Sequence, residues 1–298
     1  MLTPKKLRKG ELIALVAPAK KMEKLVIDRA VSKFESEGFR VSLGDHVLKS
    51  DSSFAGSDEE RLSDFQKALD NSEVKAIVCL RGGYGSMRII DQLNWKEFKR
   101  KPKWICGFSD VTTFHAHCSQ NLNISSLHAS MPLNFDTHSD ESWSSLIAAL
   151  KGQELNYSLD SNPKNKTGLA SSLIVGGNLS ILNALRGTPY QLDLKGKILF
   201  IEEVGESFYH VDRMLQSIRL ADEFSNLSGL IVGGMTKVED NGEWFRDKSI
   251  EDLILRHLKP YSFPVAFDFP AGHIDDNRAL ILGKPASLAV GSSVHLSI

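Results

Sequence analysis

The chain has little cysteine, no long run of one charge and no apolar stretch of membrane-spanning length, and each shortage removes a class of protein. Three cysteines among 298 residues (Cys79, Cys106 and Cys118) are an odd number, widely spaced and set in mostly apolar surroundings. No CxxC or zinc-like cluster occurs, so reduced, buried thiols in a reducing compartment are expected. Basic residues do not gather into a long run and the formal net charge is -1, which argues against a nucleic-acid partner. The first apolar run, Leu12 to Ala17, follows Glu11 and is too short for a secretory core or a membrane span. A cytoplasmic protein without membrane attachment is therefore expected. The dinucleotide fingerprint GxGxxG, the phosphate loop GxxxxGK and the zinc motif HExxH are also missing. Neither a cofactor nor a metal is expected, although His273 with Asp275 and Asp276 forms a small polar cluster.

What is present is enough apolar sequence, 42% of the chain, for one large core or two ordinary domains. Leu12 to Val16 reads as a buried strand, and Lys24 to Gly38 as a helix with Val26, Ala30, Val31 and Phe34 at helical spacing. A strand at Phe39 to Ser42, a helix at Glu59 to Leu69 and an apolar run at Ala76 to Leu80 follow. Beyond a glycine-rich turn come a strand at Trp104 to Phe108 and a helix from Val111 to His117. Alternating strands and helices of this kind indicate a parallel sheet covered on both faces. The polar stretch 151–168 reads as a linker. After it, strand-like runs (Leu173 to Val175, Lys197 to Ile201, Leu230 to Val232, Ser287 to Val290) and helices near Leu179 to Leu185 and Tyr209 to Leu220 indicate a second, β-rich domain. The expectation is an α/β domain over 1–150, a linker over 151–168 and a smaller β-rich domain over 169–298.

Four local features have chemical interest. Leu80-Arg81-Gly82-Gly83-Tyr84-Gly85-Ser86 lies between a strand and a helix, where glycines allow several backbone N–H groups to converge on an anion. Such a turn serves either as simple tight backbone or as an oxyanion hole. Gly107-Phe108-Ser109-Asp110 puts a serine at a strand-to-helix junction without the second glycine of GxSxG. Ser109 there is a helix cap or a nucleophile projecting from the sheet.

A serine nucleophile needs a base, and the base needs an orienting carboxylate. His273, after Pro270 and Gly272 in FPAGH, is the strongest base candidate. His115 and His117 fall within a helical pattern, His46 in a polar loop, and His128 where it could line the same cleft. The apolar strand LFIEE ends in two acids, and alternation puts Phe200 and Glu202 on one face with Ile201 and Glu203 on the other.

Taken in order, LRGGYG (Leu80 to Gly85), GFSD (Gly107 to Asp110), GGNLS (Gly176 to Ser180), LFIEEVGE (Leu199 to Glu206), VDRML (Val211 to Leu215) and AGH (Ala271 to His273) resemble the LD-carboxypeptidases, a family of serine peptidases. The resemblance spans nearly the whole chain and implies a triad of Ser109, Glu202 and His273. It implies oxyanion donors at the backbone amides of Asp110 and the Gly82–Gly83 turn. The implied fold is a parallel α/β domain of flavodoxin or Rossmann type, carrying the serine. A smaller β-rich, barrel-like domain carries the acid and base. Also implied are cleavage of the L,D-amide bond before the terminal D-alanine of a murein tetrapeptide, cell-wall recycling in the cytoplasm, and a homodimer. A free C-terminal carboxylate calls for a cation, and Arg81 and Arg213 are candidates. Some members instead hydrolyse peptidyl-nucleotide antibiotics, and a sugar- or peptide-binding protein without catalysis is a further alternative. The sequence departs from the family at Leu127-His128-Ala129-Ser130-Met131-Pro132, where many relatives have His-Gly-Pro.

Overall fold

A computed structural model of the chain describes residues 1–239 and 249–298. Its first half alternates β1 (Leu12–Val16), α1 (Lys24–Ser36), β2 (Arg40–Leu43), α2 (Asp58–Asp70) and β3 (Val74–Cys79). Then come α3 (Ser86–Ile89), α4 (Lys96–Arg100), β4 (Trp104–Gly107), α5 (Thr112–His117), β5 (Ser126–His128) and α6 (Asp140–Leu150). The second half contains β6 (Asn156–Asp160), β7 (Gly168–Asn178), α7 (Leu179–Ala184), β8 (Ile198–Val204), α8 (Phe208–Leu220) and β9 (Gly229–Thr236). It ends with α9 (Ile250–Leu258), β10 (Val265–Ala266), β11 (Leu280–Leu282), β12 (Pro285–Val290) and β13 (Ser293–Ser297).

Two sheets result. The first has the order β11-β5-β4-β3-β1-β2 and the second β10-β9-β8-β7-β12-β13-β6. Strands β1 to β5 pair in parallel, with β11 antiparallel at the edge. In the second sheet β7 to β10 are parallel, while β12, β13 and β6 are antiparallel. The central strands β3 and β4 are buried almost throughout, as a sheet covered on both faces requires. Helix α1 buries Ile27, Ala30 and Phe34 against it. Helix α2 starts at a capping box in which Ser57 and Glu60 each satisfy the other's backbone N–H. Its other end is closed by the buried Lys103 ammonium, which donates to the carbonyls of Ala68, Leu69 and Asn71 at 2.9, 2.8 and 2.7 Å. A cation suits the negative end of a helix dipole. The three cysteines are free and buried.

The stretch 151–168 differs from expectation because it contains β6, which pairs with β13 at the edge of the second sheet. Tyr157 fixes it there by packing edge-on against Phe269 and donating its hydroxyl to the Ala279 carbonyl at 2.6 Å. Strand β11 belongs to the first sheet even though its sequence lies within 169–298, because Leu280 and Leu282 pair with His128 and Ser126. Helices α4, α6 and α9 and the strands β5, β10 and β13 lie outside the elements read from the sequence.

The two halves meet where α5 abuts the end of β7. The Asn178 N–H donates to Thr112 Oγ1 at 3.0 Å, and Gly177 packs against the same side chain. A methyl group at Gly177 would lie 2.5 Å from Thr112 Oγ1, at a backbone φ of +141°. Gly177→Ala is expected to cost about 1–3 kcal/mol through overpacking, with further strain from the positive φ. Urea unfolding read by far-UV circular dichroism checks this through the midpoint at unchanged slope.

Candidate active site

Strands β1, β3 and β4 are adjacent and parallel, so the segments leaving their carboxyl ends share one edge, where sites form in sheets of this kind. Ser109 leaves β4 at φ +64°, a left-handed conformation costing about 1–3 kcal/mol for a non-glycine residue. It opens a short 3-10 turn, Ser109–Val111, before α5, and neither turn nor helix has a side-chain cap. The capping role open to Ser109 from sequence is therefore not the one it adopts.

The glycine turn lies directly against this serine. A Cβ at Gly82 would stand 3.0 Å from Ser109 Cβ, 3.2 Å from its Oγ and 3.3 Å from the Asp110 amide nitrogen. A side chain there would crowd the serine, so the glycine lets the backbone of the turn lie close against Ser109 and the Asp110 amide nitrogen. The Asp110 carboxylate is itself 1% exposed and accepts the Ser86 N–H at 2.9 Å. Burial raises its pKa, against the hydrogen bonds from the turn. Buried Arg61 holds the same turn from behind, donating to the carbonyls of Pro18 and Gly85 at 2.6 and 3.2 Å.

Strand alternation gives the two acids of β8 separate tasks. Glu202 is fully buried and accepts from His273 Nδ1 at 2.6 Å. Glu203 points the other way and accepts from Asn178 Nδ2 (3.0 Å), the Ser180 N–H (2.7 Å) and the Val204 N–H (2.8 Å). It holds the start of α7 in place, and burial pushes its pKa up despite these bonds. The histidine loop fits tightly over the first acid. Gly272, at φ +112°, would place a Cβ 2.8 Å from Glu202 Oε2. Thr236 Oγ1 donates to the His273 carbonyl at 2.8 Å.

The Phe108 ring, one residue before the serine, meets the His273 ring edge-on at 4.9 Å. The second half of the chain thus delivers its histidine to the turn that carries Ser109. Burial acts to lower the His273 pKa, but the hydrogen bond and charge of Glu202, with Glu203 farther off, outweigh it. The result lies above the ordinary histidine value.

The remaining expected residues fall in different places. His128 is fully buried behind Phe108, with its ring 5.8 Å from Phe108 and 4.9 Å from Phe200. It backs the wall and is not open to a substrate. Burial, then the neighbouring His115 and His273, push its pKa well down. Arg81 donates to the Lys21 carbonyl at 3.2 Å. Arg213 is exposed on α8, stacked over Tyr209 at 5.3 Å. At the point of departure from the family, Ser130 hydrogen-bonds His138 Nδ1 at 2.6 Å and the Asn277 carbonyl at 3.2 Å, behind the histidine loop. Sequence reasoning passed over Arg61, an unremarkable helical arginine. It also passed over Lys20, whose side chain crosses Gly83: a Cβ there would lie 2.7 Å from Lys20 Cδ. Among the described residues no three His, Cys, Asp or Glu side chains gather as a metal-binding group.

Residues 13–129 match the LD-carboxypeptidase N-terminal domain and residues 171–288 the LD-carboxypeptidase C-terminal domain. The chain belongs to the LD-carboxypeptidase family. Among the family's curated members, the "Probable murein peptide carboxypeptidase" of Bacillus subtilis (strain 168) is 30% identical over 294 residues, which cover 96% of this chain and 91% of that one. The murein tetrapeptide carboxypeptidase of Pseudomonas aeruginosa is 29% identical over 290 residues, covering 93% and 92%. The crystal structure of muramoyltetrapeptide carboxypeptidase from Oxalobacter formigenes superimposes with a TM-score of 0.87 at 26% identity, covering 96% of this chain and 98% of that one. MccF in complex with glutamyl sulfamoyl guanosine shares the fold, with a TM-score of 0.87 at 20% identity over 100% of this chain and 97% of that one.

The His273 environment gives a direct test in this LD-carboxypeptidase family member. NMR titration of the imidazole nitrogens is expected to give a pKa above that of a free histidine. In Glu202→Gln the raising charge is gone while burial stays, so the value should fall below the free one.

Proposed function

We propose that the protein is a serine carboxypeptidase that removes the terminal D-alanine of murein tetrapeptide by hydrolysing the L,D-amide bond to the diamino acid. The observation that carries this reading is the Glu202–His273 hydrogen bond, set by the Phe108 contact beside a strained Ser109. The names of the curated relatives support the substrate.

His273, oriented and polarised by Glu202, takes the Ser109 proton as Oγ attacks the amide carbonyl. The amides of Asp110 and the Gly82–Gly83 turn stabilise the oxyanion. Protonated His273 then gives its proton to the leaving D-alanine nitrogen, and the acyl-enzyme forms as the C–N bond breaks. A water molecule, deprotonated by the same histidine, releases the shortened peptide and restores the serine. In this reading the α/β part within 1–150 supplies nucleophile and oxyanion donors, and the β-rich part within 169–298 supplies acid and base. Recycling of wall peptides in the cytoplasm fits the three buried thiols, and a homodimer is part of the same reading, to be checked by light scattering.

Because the base must be neutral, activity is expected to fall as pH drops through the His273 pKa. The acid limb of kcat/KM should therefore stand above the pH at which an ordinary histidine would give it. Mass spectrometry of L-Ala–D-Glu–diamino acid–D-Ala, with chelator present, should show loss of one D-alanine. Ser109→Ala should lose about 10^4- to 10^6-fold in kcat. An intact tetrapeptide with the wild type would overturn the murein reading and turn the assay to peptidyl-nucleotides.

A further inference from the structure

The glycine turn has a cation lying across it that the triad does not use. Segment 17–21 leaves β1 and runs beside the turn that leaves β3, because the two strands are parallel neighbours with Val16 opposite Cys79. Ala19 packs on Gly85, and an isolated bridge to Phe54 fixes the Lys20 backbone. The Lys20 side chain then extends over Gly83, where a Cβ would meet its Cγ, Cδ and Cε at 2.9, 2.7 and 2.9 Å. The ammonium is one bond further on. Gly83 is the direct neighbour of Gly82, the residue pressed against Ser109, and adjacent Cα atoms are about 3.8 Å apart.

The other cations around the turn are occupied. Arg61 donates to Pro18 and Gly85 and pairs with Asp58, Arg88 pairs with Asp58 at 2.7 Å, Lys21 donates to Ser50 at 3.2 Å, and Arg81 donates to the Lys21 carbonyl. Among the described residues, the Lys20 ammonium has neither a hydrogen-bond acceptor nor a carboxylate partner. A charge in that position suits an anion beside the oxyanion donors. In a carboxypeptidase substrate the only anion so placed is the free C-terminal carboxylate, whose carbon lies two bonds beyond the scissile nitrogen.

We propose that Lys20 binds the C-terminal carboxylate of the substrate and thereby restricts cleavage to a chain end; this rests on the carboxypeptidase reading above. Arg81 and Arg213, the candidates from sequence, are directed to the Lys21 carbonyl and to the Tyr209 ring instead.

The test compares kcat/KM on the tetrapeptide and on the same peptide ending in D-alanine amide, for wild type, Lys20→Met and Lys20→Arg. Methionine keeps the unbranched cover over Gly83 and removes the charge. Wild type is expected to prefer the free acid. Lys20→Met should lose about ten- to hundred-fold on the acid, the range for a hydrogen bond to a charged group, with no loss on the amide. Lys20→Arg should recover most of the preference. Equal wild-type and Lys20→Met rates on the acid, or an equal loss on both substrates, would overturn the role of Lys20 while leaving the reaction intact. A wild type that leaves the tetrapeptide whole would overturn both.

Discussion

Burial of the Glu202 carboxylate under the His273 loop is the constraint from which the rest of the site follows. A buried carboxylate must be hydrogen-bonded, because an isolated ion in a protein interior is costly. Here the partner is the imidazole, at 2.6 Å, and the loop that brings it can close only because position 272 is a glycine. The same carboxylate fixes the electrostatics of the ring and holds its pKa above the ordinary value against desolvation. Orientation and basicity of the histidine therefore come from one contact, and Phe108 registers that contact against the serine turn.

The adjacent acid shows how one strand serves two ends. Glu203 could not replace Glu202, since strand alternation turns it toward Asn178 and the start of α7. There it stiffens the junction at which Asn178 and Gly177 grip Thr112, three residues after Ser109. One acid holds the His273 ring, and the other holds the start of α7 beside the junction of the two halves of the chain.

Much of this was legible in the sequence because it depends on period and order. The period-2 alternation of LFIEE separated the two glutamates, and helical spacing located α1, α2 and α8 to within a few residues. What local sequence could not decide was decided by tertiary contact. GFSD fits a helix cap as well as a nucleophile turn, and it is the fold that rules out the cap, since Ser109 takes a left-handed φ and caps neither the following turn nor the helix. Strand β6 was hidden because NYSLD lies among turn-forming residues, and it becomes a strand by pairing with β13 and burying Tyr157. Strand β11 carries no mark of the sheet it joins, since a short apolar run can add to either edge. His128, following a short apolar run, reads as a residue that could line the cleft, yet β5 draws it into the core between Phe108 and Phe200.

The glycine turn beside Ser109 depends on a separate set of ties. A backbone N–H stabilises a developing charge only if it is already aimed, because reorientation during the reaction would consume the gain. The glycines that allow the close approach also make the turn flexible in isolation. That freedom is removed from both sides: Arg61 ties Gly85 to Pro18, and the Asp110 carboxylate ties Ser86 to the segment that carries Ser109. Both side chains are buried, so water does not compete for these bonds. Asp110 thereby contributes twice, with its amide nitrogen close to Gly82 and its carboxylate on the facing turn, so the turn and the segment that carries Ser109 are tied together.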